Sequence, residues 1–242
     1  MKVASKIIFL FKDADGVGAA ISDALHPNPS STLQRLEESF ELSLERYGVK
    51  DLKASGSIIH FVDDGGAYQV SLLLLQIYKP PILVCVLNEV LALLIGEEPS
   101  SMPTIVVPCL FSASKLTWKT RNSTLNVSKA SLYGIQVGAN TDITESMITK
   151  TQIPPSSLQI YDEPIACFLQ LVRVLKVPAF ILIGQRGQHL SGKALGEELE
   201  ILYEIGELLA STFDLRFLRE RVMCNPRDKS RDVEEPWRAL YG

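Results

Sequence analysis

Asp162-Glu163-Pro164-Ile165-Ala166-Cys167-Phe168-Leu169-Gln170-Leu171-Val172-Arg173-Val174-Leu175-Lys176-Val177-Pro178-Ala179-Phe180-Ile181-Leu182-Ile183 holds both secondary-structure periods in one stretch. Pro164 suits the first helical position behind Asp162 and Glu163, whose charges favour the positive end of a helix dipole. Ile165, Phe168, Leu169, Val172 and Leu175 then recur every three to four residues and predict one apolar helix face. Pro178 ends that pattern, and Ala179 to Ile183 is a continuous apolar run. A strand apolar on both sides needs cover on both sides, which points to helices flanking a sheet.

The rest of the chain repeats this alternation. Lys6 to Phe11, Ser57 to Val62, Thr104 to Leu110 and Leu132 to Val137 read as strands. Asp63-Asp64-Gly65-Gly66 supplies a turn into a further strand over Tyr68 to Tyr78. Pro108 within its run predicts an edge or a bulge. Ile82 to Leu87 reads as a central strand leading into a helix that ends at Ile95. Leu33, Leu36, Phe40 and Leu44 predict a helix over Thr32 to Tyr47, capped by Ser31 with Gln34 at the capping-box position and Gly48 at C′. Trp118 to Ala130 reads as a loop or strand pair, and Thr141 to Ser157 as a loop closed by Pro154-Pro155. A long helix is predicted from Lys193 to Thr212 and a shorter one near Leu215 to Met223.

These elements predict an α/β fold: a single three-layer domain, residues 1–224, with a mixed, largely parallel central sheet between helices. Residues 225–242 are too polar to join it and are expected to form a flexible C-terminal tail. With 46% apolar and 21% charged residues, the 242-residue chain can bury a substantial core. A net charge of −4 argues against nucleic-acid backbone binding, although Arg216, Arg219, Arg221, Arg227, Lys229 and Arg231 gather late. Cys85, Cys109, Cys167 and Cys224 are too scattered for a metal or redox motif, and no apolar run is long enough to span a membrane. The expected location is the cytoplasm or nucleus, with no cofactor and no metal.

Two segments could carry chemistry. Asp13-Ala14-Asp15-Gly16 follows an apolar strand, the context of a nucleophilic carboxylate beside a magnesium ion, but Lys12 precedes it and no later partners follow, so it reads as a solvated loop. Gly187-Gln188-His189-Leu190-Ser191-Gly192-Lys193 has the outline of a phosphate-cradling loop between strand and helix. Ala194 stands where a Ser or Thr hydroxyl would hold magnesium, so a P-loop-like nucleotide-binding enzyme is the alternative reading. His26, His60 and His189 accompany no nucleophile motif.

The chain closes with Leu240-Tyr241-Gly242, a hydrophobic–Tyr–any terminus. A free end of this kind offers an apolar side chain, an aromatic wedge and a carboxylate to a pocket that contains a cation. Tyr161-Asp162-Glu163-Pro164-Ile165-Ala166, then Lys176-Val177-Pro178-Ala179-Phe180-Ile181-Leu182, then this terminus, together resemble the proteasome assembly chaperone 1 family. Thr104 to Trp118 is loosely similar, while the Gly192 to Gly196 start of the long helix departs from the pattern. The resemblance implies a non-enzymatic chaperone that pairs with proteasome assembly chaperone 2. It also implies binding to the α-subunit ring of the 20S proteasome during assembly, with Leu240, Tyr241 and Gly242 entering a pocket between subunits.

Overall fold

The computed structural model describes residues 2–96, 102–112, 114–117, 132–185 and 194–222. Its centre is a seven-stranded mixed sheet in the order β3-β4-β5-β1-β6-β10-β8. The strands are β1 (Lys6–Lys12), β3 (Gln34–Ser43), β4 (Lys53–Val62), β5 (Tyr68–Gln76), β6 (Thr104–Phe111), β8 (Leu132–Val137) and β10 (Ala179–Gln185). β5, β1, β6 and β10 run parallel, and β3, β4 and β8 add antiparallel pairings at the flanks. Two small ladders lie outside it: β2 (Leu25–Pro27) with β11 (Leu215–Phe217), and β7 (Leu116–Thr117) with β9 (Gln159–Ile160).

Alternation along β1 builds two cores. Ile7 and Phe9 point to one face, where α2 (Ile82–Ile95) and α4 (Glu163–Val174) pack. Ile8 and Leu10 point to the other, under α1 (Val17–Ala24), α3 (Asp142–Lys150) and α5 (Ala194–Phe213). All four are at most 1% exposed, so β1 has no water-facing side. Burial of each side chain is worth about 2 kcal/mol, which makes the three-layer arrangement obligatory for this strand.

The expectation from Asp162 to Ile183 holds with one shift at the helix start. Asp162 is the N-cap of α4, its Oδ1 accepting the Ile165 N–H at 3.2 Å. Pro164 takes the second helical position rather than the first, because Glu163 opens the helix. Ile165, Phe168 and Val172 are buried.

Several elements differ from expectation. Thr32 to Tyr47 is not a helix: Gln34–Ser43 is the edge strand β3, and only Glu45–Tyr47 makes a short 3₁₀ turn, closed by Gly48 at φ 78°. Leu36, Phe40 and Leu44 are four residues apart, a spacing that satisfies a helix and also every second position of a strand. Glu38 interrupts the alternation that would have distinguished them. Ile82 to Leu87 is not a strand but the first turns of α2, whose buried Leu83, Val86, Leu87, Val90, Leu91 and Leu94 follow a helical period. Thr141 to Ser157 contains α3, which starts with a capping box between Thr141 and Thr144. Leu215 to Met223 gives β11 and a 3₁₀ turn over Arg219–Arg221 instead of a helix. Residues 118–131 lie outside the described residues.

Pro108 sits in central β6, neither at an edge nor in a bulge. The Thr104 N–H donates to Ser5 beside β1, and the Ile105 N–H to Pro178 beside β10. Alternation therefore turns the Pro108 nitrogen towards β1, whose pairing with β6 ends at Ile8 and Val106. The bond that Pro108 cannot donate is thus the one at which that pairing stops.

Gly18, in the first turn of α1, marks where helix and strand come closest. A Cβ there would lie 2.0 Å from the Phe11 carbonyl oxygen, a backbone atom without a rotamer to escape into. Gly18→Ala is expected to cost about 2 kcal/mol or more. Urea unfolding monitored by circular dichroism measures it, and an unchanged midpoint would contradict this packing.

Candidate functional site

In sheets of this kind ligands gather at the carboxyl ends of the parallel strands, where connections leave to opposite faces. Here that point lies between β1, followed by α1 on one face, and β5, followed by α2 on the other. The groups at this rim are nevertheless engaged in holding the fold. Asp13 Oδ1 accepts the Val17 N–H at 3.1 Å and Oδ2 accepts the Gly18 N–H at 2.9 Å. Both oxygens thus serve the first turn of α1, with Gly16 providing the left-handed bend at φ 76°. The segment read from sequence as a solvated loop thus holds the start of α1, with Asp13 as its capping carboxylate.

At the next parallel strand the pattern recurs. Asp162 caps α4 with Oδ1 while Oδ2 accepts from Lys115 Nζ at 2.7 Å. Cys109 lies below them, its thiol pushed well up by burial and then by the fields of Asp162 and Asp13. It is a protonated core thiol. Asp63 is a turn-former: it accepts from the Gly65 and Ala67 N–H groups and from Gln69, bonds that lower its pKa. Among the described residues no group of three or more His, Cys, Asp or Glu side chains could hold a metal ion.

A groove of about 270 Å³ crosses the sheet beside this rim, lined by Lys12, Ser39, Glu41, Ser55, Ser57 and Gln76 among others. Alternation places these side chains on one face of β3, β4, β5 and β1, next to the helix-covered area. It offers hydroxyls, an amide and one charge of each sign, with neither histidine nor cysteine in its lining. Phe40 and Leu74 also line it, so the groove is mixed in polarity.

Sequence reasoning missed one pair. His60 Nδ1 lies 2.9 Å from Ser71 Oγ, which also accepts the Ala4 N–H at 2.9 Å, and the ring stacks on Tyr68 with centroids 4.4 Å apart. Ser71 is 0% exposed, so this His–Ser contact reaches no substrate and is a core hydrogen bond. Only pairing register across β4 and β5 could have revealed it, since nothing in the spacing of His60 and Ser71 marks them.

The remaining expected residues fall outside what the structure describes. Leu240, Tyr241 and Gly242 lie outside the described residues, as do Gly187 to Lys193 and His189. The latter segment is bracketed by β10 ending at Gln185 and α5 starting at Ala194, as the strand-to-helix reading requires.

The three-layer fold is shared with solved proteasome-assembly chaperone homologues. It matches Pyrococcus furiosus PbaA, described as an archaeal homologue of proteasome-assembly chaperone, with a TM-score of 0.52 at 12% identity over 99% of this chain and 93% of that one. Pyrococcus furiosus PbaB, described as an archaeal proteasome activator, gives 0.51 at 9% identity over 100% and 96%. A Mycobacterium tuberculosis protein of unknown function gives 0.53 at 12% over 89% and 72%. The chain belongs to the family described as domain of unknown function DUF7894, whose model matches residues 1–242. No curated protein matches it in sequence. Among the described residues no helix is long and apolar enough to cross a membrane.

Burial lowers the pKa of His60, with a smaller opposing effect from Glu38. A histidine depressed in the folded state contributes stability above its unfolded pKa of about 6.5 and loses it as pH falls. Between about pH 7 and pH 5 the melting temperature of the native protein is expected to drop more steeply than that of His60→Gln. Parallel slopes in the two proteins would place His60 in water.

Proposed function

We propose that the protein is a proteasome assembly chaperone of the proteasome assembly chaperone 1 type. It acts as a heterodimer with proteasome assembly chaperone 2, binds the α-subunit ring of the 20S proteasome and promotes its assembly. The observation that carries the reading is the fold likeness to PbaA over almost the full length of both chains. A fold alone does not fix function. The second support is the hydrophobic–Tyr–any terminus at Leu240-Tyr241-Gly242, in the position that the family resemblance requires. A third is the chemistry of the strand rim, where Asp13 and Asp162 are consumed as helix caps. The protein acts through contact and is not an enzyme, and its place is the cytoplasm and nucleus.

In this reading residues 1–224 form the chaperone body and residues 225–242 its tail. A chain the length of Asn225 to Trp237 reaches about 20 Å as a flexible tether, enough to hold the terminus at high effective concentration beside its pocket. Tyr241 supplies aromatic area and one hydroxyl, Leu240 fills an apolar groove, and the Gly242 carboxylate pairs with a lysine. Each contact is worth about 1–3 kcal/mol, so body and tail must act together.

Deleting Leu240 to Gly242 is expected to weaken capture of α subunits by tenfold or more, about 1.4 kcal/mol, with an unchanged melting temperature. Equal capture by truncated and full-length protein would remove the tail from the mechanism. Amidating the terminal carboxylate tests the lysine pairing alone and is expected to weaken capture as well.

A further inference from the structure

The late basic residues find a structural context that docking through the terminus does not use. The β2–β11 ladder places Arg216 directly opposite His26. The following 3₁₀ turn carries Arg221 over the same ring, with Nη1 3.1 Å from His26 Nε2. Arg35, on neighbouring β3, lies close enough that its charge, with that of Arg221, opposes protonation of His26, though burial of the ring is the larger cause. Arg221 thus touches the His26 ring, Arg35 lies within electrostatic reach of it and Arg216 faces it across the ladder, on a protein whose net charge is −4.

Their hydrogen bonds do not close. His26 Nε2 lies 3.0 Å from the Asp23 carbonyl oxygen and 3.1 Å from Arg221 Nη1. One ring nitrogen can donate to the first or accept from the second, but not both. When it donates to Asp23, an Arg221 N–H faces another N–H. Arg35 Nε is buried with no hydrogen-bond partner, while its Nη2 forms a long ion pair with Glu37 at 3.6 Å. A charged donor left in this state is costly. An oxygen anion docking on Arg221 beside His26 would give that guanidinium an acceptor, and guanidinium forks suit planar carboxylates and tetrahedral phosphates alike.

We propose that His26, Arg35 and Arg221 form a recognition site for a single oxyanion, a carboxylate or a phosphate. The site is independent of the carboxy terminus and of the proteasome reading. Asp23 orients the His26 ring, while Arg216 adds charge at the rim.

The test is a titration of the full-length chain at constant ionic strength, following the His26 ring nitrogens by NMR. One arm adds inorganic phosphate and the other an acetylated, amidated triglutamate peptide. Saturable shifts of the His26 signals are expected, with affinity reduced about tenfold or more in Arg35→Gln and in Arg221→Gln. Tighter binding of the peptide assigns the site to an acidic segment of another protein, and tighter binding of phosphate assigns it to a free anion. Arg221 is exposed, so Arg221→Gln carries the test should Arg35→Gln fail to fold. His26 signals indifferent to both probes, or equal affinity in wild type and Arg221→Gln, would overturn the proposal.

Discussion

The structure depends on the double-sided burial of β1. Four successive side chains, Ile7, Ile8, Phe9 and Leu10, alternate between two cores and reach water from neither. Such a strand is stable only when both faces are roofed, and the connections of the parallel strands deliver those roofs. α1, reached directly from β1, covers one face, and α2, reached from β5, covers the other. The tight passage at Gly18 follows from the same demand, because α1 must settle on the strand it has just left.

That demand also explains the quiet chemistry of the strand rim. Helices starting this close to strand ends expose their first N–H groups, and the nearest carboxylates are taken up in satisfying them. Asp13 does so for α1 and Asp162 for α4. Once both are committed, the rim keeps Lys115 paired and Cys109 protonated. Among the described residues two surface features stand apart from this rim chemistry: the groove on the sheet and the basic residues around His26.

The sequence revealed the fold class because continuous apolar runs such as Ile7–Leu10 and Phe180–Ile183 have one solution. The β4–β5 hairpin and α4 were legible for similar reasons, each pairing a period with an unambiguous turn or cap. It misled where one spacing satisfied two periods. Leu36, Phe40 and Leu44 fit a helix as well as an edge strand, and the choice was made by the facing residues of β4, which no local pattern contains. α2 was split because its uncovered positions, such as Val84 at 47% exposure, are apolar too, leaving almost no polar face to mark the helix. α3 was overlooked because its buried surface is only Ile143, Thr144 and Met147. Of the candidate sites, the Asp13 motif was visible and its use as a cap was not, since only its distance to the Val17 and Gly18 amides decides that. The His60–Ser71 and His26–Arg221 contacts join residues 11 and 195 positions apart, beyond any motif.

Identities of 9–12% to PbaA and PbaB over nearly whole chains show how little of this architecture is tied to particular side chains. Burial pattern and connection order suffice for the fold, so the function proposed here rests on what the chain contacts. The most direct measurement is affinity purification of the full-length protein from cells with quantitative mass spectrometry of the co-eluting chains. The account predicts enrichment of 20S α subunits together with one related α/β chaperone chain. Recovery of the protein with neither enriched above a tag-only control would contradict it.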